Sequence, residues 1–162
     1  MAIKQKYNYK ISSFQKYSPE KIGQAVHKSR NVNFFYGLAF SIKTLKDGNE
    51  VCFYIERGDQ NIYYGLMIKN KDDEWAASSD GLFEELKSHL SDIEGIVSRP
   101  FWMGIKYFEP KINFKAFNEE HTLLLKNKKQ REEQLKKYLK DIDGFLKEVT
   151  EWLKKKSLKV NI

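Results

Sequence analysis

The sequence predicts an α+β domain: an antiparallel sheet of about five strands, packed by a mid-chain helix and a long C-terminal amphipathic helix. Three aromatic and β-branched runs, at residues 34–40, 51–55 and 62–68, follow one another with only turn residues between them, the pattern of a meander of hairpins. Leu82, Phe83, Leu86, Leu90, Ile93 and Val97 then recur at helical spacing. From Asn118 to Lys156 no proline intervenes, and Leu135, Leu139, Ile142, Leu146, Val149 and Leu153 repeat at alternating intervals of four and three residues.

In chain order, residues 3–11 partly alternate Lys or Asn with Tyr7, Tyr9 and Ile11, which suits a sheet-edge strand whose lysines discourage further pairing. Ser18-Pro19-Glu20 caps a short helix expected over 19–28, with Ile22, Ala25 and Val26 on its apolar face. The meander follows, its turns marked by Lys46-Asp47-Gly48-Asn49 and by Arg57-Gly58-Asp59-Gln60-Asn61. Gly37, Gly65 and Gly104 lie inside apolar runs of similar form and are expected to seat aromatic rings from adjacent strands.

Asp80 or Ser79 is expected to cap the mid-chain helix, which Arg99-Pro100 stops. Residues 101–108 read as a further aromatic strand, Glu109-Pro110 as a bend, and 112–117 as a short strand or extended edge. Asn118-Glu119-Glu120 starts the C-terminal helical region, where Tyr138, Phe145 and Trp152 form a second stripe beside the leucines. This broad face covers the sheet or the mid-chain helix; the alternative is a docking helix for a partner. Between Lys126 and Gln134 the chain is polar on every side, so it is an exposed helical spur or a connection between two helices.

Length favours one domain spanning 1–162, in which 119–162 can stand as a basic helical extension. Hydrophobic content of 41% and charged content of 31% suit a folded, polar-surfaced chain. The single cysteine, Cys52, excludes an intramolecular disulfide and reads as a small buried hydrophobe. No apolar run at the N-terminus resembles a signal peptide and none has the length of a membrane span, so a cytoplasmic location is expected. The N-terminus is not linker-like, and the chain is expected to be complete.

The net charge of +7 is unevenly spread. Residues 1–30 hold seven Lys or Arg against one acid, and 119–162 hold twelve against eight, whereas 31–80 hold five against eight. Basic termini around an acidic sheet permit contact with nucleic acid or another anionic partner; a merely solvated surface is the competing reading. The nucleic-acid candidates are Lys126, Lys128, Lys129, Arg131, Lys136, Lys137 and Lys140, with Lys154-Lys155-Lys156 beyond them. On a helix they form a basic ridge that touches phosphates without reading sequence, diluted by Glu132, Glu133, Asp141 and Asp143.

Familiar catalytic signatures are missing. His27, His89 and His121 stand in no zinc-binding pattern, and there is neither a Walker loop nor a Gly-x-Ser-x-Gly elbow. One carboxylate arrangement remains: Asp92 with Glu109-Pro110-Lys111, where two acids would hold Mg²⁺ and the lysine would orient the attacking water of a nuclease. Against it, Asp92 falls near a helix end, the proline disturbs the strand that must present the pair, and Glu-x-Lys is common in so charged a chain. No metal site and no cofactor is expected outside that alternative.

From Glu50 onward, Phe53-Tyr54-Ile55-Glu56, Tyr63-Tyr64-Gly65-Leu66, a helix and Trp102-Met103-Gly104-Ile105 follow in turn. In these motifs the chain resembles the region that follows the catalytic core in some bacterial PD-(D/E)XK superfamily proteins of restriction or phage defence. The resemblance covers about two-thirds of the chain through sheet-packing motifs. It implies an accessory domain detached from its nuclease, and carries over no active-site residue. The function expected is therefore a non-enzymatic binding or accessory module of bacterial or phage type. Its partner would be a nuclease-related protein or nucleic-acid backbone. The alternatives are the divalent-metal nuclease and a protein-interaction or inhibitor domain with no nucleic-acid role.

Overall fold

The structure is a computed structural model that describes residues 10–11, 36–45, 47–58, 61–70, 72, 81–113 and 120–159. The chain forms two compact units, Met1–Phe117 and Asn118–Ile162. The architecture is α+β. In the first unit the elements are β1 (Lys10–Ile11), β2 (Tyr36–Thr44), β3 (Glu50–Gly58), β4 (Asn61–Lys69), α1 (Gly81–Ser91), β5 (Ile96–Arg99) and β6 (Trp102–Tyr107). Five strands of four to nine residues and the two-residue β1 make one sheet in the order β1-β2-β3-β4-β6-β5, with every pairing antiparallel. The helix expected over 19–28 and the cap at Ser79 or Asp80 lie outside the described residues.

The meander is longer than its aromatic runs. β3 and β4 stay paired from Glu50↔Lys69 to Gly58↔Asn61, so a two-residue connection fixes the register. One face of the sheet then carries Ala39, Tyr54, Tyr63, Met67 and Ile105, which form a buried cluster with Trp102. On the other face Phe40, Phe53, Tyr64 and Phe108 make a chain of ring contacts with centroids 4.9 to 6.3 Å apart. Cys52 pairs with Met67 on the first face and is buried there as a small apolar side chain. Lys69 is almost fully buried, and its ammonium lies 3.3 Å from Glu50 across the strand pair.

α1 presents Phe83, Leu86 and Leu90 as its buried side and packs on β5 and β6. It is shorter than the apolar spacing suggested. The helix ends at Ser91, Gly95 takes a positive φ of 80°, and Ile96–Arg99 pairs with β6 as an edge strand. Val97, expected on the helix face, is 40% exposed on that strand. The left-handed glycine turns the chain back, and β-branched Ile96 and Val97 extend easily after it.

The strand glycines also differ from expectation. A Cβ on Gly37 would meet the Ile55 carbonyl oxygen and one on Gly65 the Gly104 carbonyl oxygen, while Gly104 faces Ile96 and Leu90. The atoms nearest those positions belong to neighbouring backbone and aliphatic groups. The ring-seating glycine is Gly58, whose Cβ would lie 2.6 Å from the Tyr63 hydroxyl and 2.7 Å from its ring.

After β6 the chain bends through a cis Glu109-Pro110 peptide. Ile112 and Asn113 belong to no strand, and the rest of the extended edge expected over 112–117 lies outside the described residues. The second unit holds α2 (Glu120–Leu123) and α3 (Lys128–Lys159), so the polar stretch resolves into a short connection followed by the first turns of the long helix. Asn127 caps α3: its side-chain oxygen accepts from the Gln130 amide at 3.2 Å. Among the described side chains of α3, Tyr138, Ile142, Phe145, Leu146, Val149 and Leu153 are the buried apolar ones, whereas Leu135 is 49% exposed. The buried stripe is thus centred between the leucine and aromatic rows.

Candidate functional site

Two features of the structure are candidates for a functional site, one in each unit. The first is a cationic row on α3. Lys126, Lys128, Lys129, Arg131, Lys136, Lys137 and Lys140 are all exposed, but the helix does not bring them all to one side. Advancing 100° per residue, Lys129, Lys136, Lys140, Lys147 and Lys154 fall within about 40° of one another, in a row roughly 38 Å long. All five are exposed. Lys147 and Lys154 belong to the row through their spacing of seven from neighbours along it, a signal that local lysine density hides. Lys128 and Lys137 project from other sides of the helix. Arg131 has a structural task, since its guanidinium donates to the Leu125 carbonyl at 2.8 Å and ties the connection to the start of α3.

The second feature is a groove on the sheet. It has a volume of about 360 Å³ and is lined by Gly58, Tyr63, Arg99, Pro100, Phe101, Trp102, Ile105 and Tyr107. The register explains its floor: Tyr63 stands opposite Tyr107 and two residue pairs from Gly65↔Ile105, all on one face. Tyr63 is clamped edge-on between Trp102, at 5.5 Å, and Tyr107, at 5.6 Å, and Trp102 stacks on Tyr54 at 5.6 Å. The rim is the turn joining β5 to β6, where Arg99, Pro100 and Phe101 are exposed. Lys111 places its ammonium 4.9 Å over the Tyr107 ring.

Behind this floor lies a buried acid that sequence reasoning did not single out. The Tyr63 hydroxyl donates to the Glu56 carboxylate, and Glu56 is only 8% exposed. Burial raises the Glu56 pKa above its ordinary 4.5, and hydrogen bonds from the Tyr63 and Tyr54 hydroxyls offset part of that rise. Burial and then the adjacent Glu56 also raise the pKa of Tyr63, so its hydroxyl stays a donor at neutral pH. Two-residue closure of the β3–β4 hairpin is the signal that would have placed Glu56 opposite Tyr63 on the inward face. The carboxylate does not line the groove. Its role is to hold the Tyr63 ring in place.

A raised acid pKa makes folding favour the protonated form, so this stabilisation is complete below pH 4.5 and is lost as pH rises through the folded-state value. Glu56→Gln keeps an acceptor for Tyr63 without the charge. Its stability relative to the parent is expected to improve between pH 4.5 and 8, measured by urea midpoints at each pH; a difference that does not change with pH would contradict this account.

The nuclease candidates are all exposed. Asp92 sits in the turn after α1, Glu109 beside the cis peptide, and Lys111 on the Tyr107 ring. Among the described residues no group of three or more His, Cys, Asp and Glu side chains comes together, and no helix is long and apolar enough to cross a membrane. No family model, curated protein or solved structure matches the chain.

Proposed function

We propose that the protein is a non-enzymatic binding module that grips nucleic-acid backbone through the outer face of α3. The observation that carries this reading is the row of five exposed lysines, Lys129, Lys136, Lys140, Lys147 and Lys154, along one side of a 32-residue helix. Lysine ammonium groups are compact point charges on flexible stems, suited to phosphates and poorly suited to the bidentate reading of base edges. Such a row binds backbone without sequence preference. Glu133 and Glu151 border it and keep the affinity moderate and salt-sensitive.

In this proposal the protein works in the cytoplasm of a bacterium or on behalf of a phage, alone or beside a nuclease-related partner. The test is fluorescence anisotropy of labelled duplex and single strand, titrated across a range of salt concentrations. Neutralising five phosphates gives a slope of log affinity on log salt of about −4.5 for duplex. No binding even at low salt would overturn the reading and leave protein interaction as the activity to pursue.

A further inference from the structure

The groove on the sheet is independent of α3 and has its own chemistry. Its floor is aromatic: Tyr63, Trp102 and Tyr107 are held against one another by edge contacts, and the Glu56 hydrogen bond prevents Tyr63 from turning. Phe101 stands at the rim with 53% of its surface exposed, a large apolar ring held in water by a tight turn between paired strands. Among the described residues, the charged side chain that lines the opening is cationic. Arg99 lines it, Lys111 rests on its Tyr107 wall, and no carboxylate is among the lining residues.

That combination discriminates among ligands. A quaternary ammonium would favour the aromatic walls but meet Arg99 and Lys111 at the entrance. A purely aliphatic ligand would leave both cations unused. A flat aromatic ring carrying a phosphate satisfies both parts, with the ring on Phe101 and the aromatic walls and the phosphate on the guanidinium. The volume of about 360 Å³ lies at the low end of small-molecule sites, the scale of a single nucleotide. A base inside a duplex has both faces covered by its neighbours and cannot enter.

We propose that this groove takes one unpaired nucleotide of a single strand, its base stacked on exposed Phe101 over the aromatic floor to which Trp102 belongs, and its phosphate held by Arg99. The proposal deepens the nucleic-acid reading by naming the strand form that the sheet selects, and it rests on that reading for the strand as the source of the nucleotide. Pocket and helix then divide the work: α3 supplies salt-sensitive backbone attraction, and the groove supplies a preference for unpaired bases.

The test reads the indole N–H signals of the three tryptophans by NMR, with the Trp102 signal assigned by Trp102→Phe. Titration with a short oligothymidylate is expected to move the Trp102 signal saturably, with thymidine 5′-monophosphate binding more weakly and inorganic phosphate leaving the signal unmoved. Phe101→Ala should weaken oligothymidylate binding by roughly fivefold or more, through lost stacking. Arg99→Ala should weaken it and lower the salt slope by about one. Both sites are exposed, so neither variant is expected to disturb the fold.

A Trp102 signal that does not move, or moves equally in the Phe101→Ala/Arg99→Ala double variant, would overturn the proposal. Tighter binding of the mononucleotide than of the oligonucleotide would overturn the strand as its source. A variant with the five α3 lysines replaced by glutamine separates the two readings. Loss of duplex binding alone in that variant concerns the helix; a Trp102 shift retained in it supports the groove.

Discussion

Gly65→Ala is expected to destabilise the first unit by roughly 3 kcal/mol or more, one of the largest effects available from adding a single methyl group. Gly65 lies in β4, the strand that joins the meander to β6, and pairs with Ile105. A Cβ there would collide with the Gly104 carbonyl oxygen, and the Gly104 carbonyl carbon and Ile105 Cα are each 3.0 Å away. These are backbone atoms of a paired strand, so relief requires β4 and β6 to separate. The same substitution at Gly144 should have the opposite sign. That glycine is exposed on α3 with nothing within 4 Å of an added Cβ, and alanine there gains up to about 1 kcal/mol of helix propensity. Denaturant midpoints of the two variants decide the matter; equal shifts would mean that the close approach of β4 to β6 is not maintained in solution.

Replacing Lys129, Lys136, Lys140, Lys147 and Lys154 together by glutamine is expected to abolish most of the salt dependence of nucleic-acid binding. At low salt it should cost at least about a hundredfold in affinity. Each removed phosphate contact takes close to one unit from the slope. The informative control replaces Lys126, Lys128, Lys137 and Lys155, which are exposed but lie off the row. If the azimuth matters, this control set loses far less than its change in net charge implies. If both sets lose affinity in proportion to charge, attraction is governed by the total charge of the protein, and the row has no role of its own. Circular dichroism should show α3 intact in both, because glutamine is nearly as good a helix former as lysine.

Much of the fold was legible because local patterns and global packing agree. β3 and β4 carry aromatic and β-branched residues on both sides, as strands buried on two faces must. The absence of proline and the repeat of apolar residues announced α3. Where reading by period failed, a single residue outweighed the pattern. Ile93 and Val97 continue the helical spacing of Leu86 and Leu90, yet Gly95 reverses the chain and makes Ile96–Arg99 a strand. Leu135 continues the leucine repeat and shares the azimuth of buried Leu153 five turns on, yet it is exposed, so its position along the helix and not the period decides its burial.

The sequence by itself determined the α+β class, the hairpin meander, the burial of Cys52 and the basic character of the C-terminal helix. These depend on composition and on intervals of two to seven residues, which survive without knowledge of neighbours in space. Tertiary structure alone decided what stands together across the sheet: Glu56 with Tyr63 and Tyr54, Tyr63 between Trp102 and Tyr107, and Arg99 with Phe101 over that floor. Trp102 and Tyr107 lie in a strand far along the chain from Tyr63, and Glu56 meets Tyr63 through the hairpin register, where a shift of one residue turns every side chain to the opposite face.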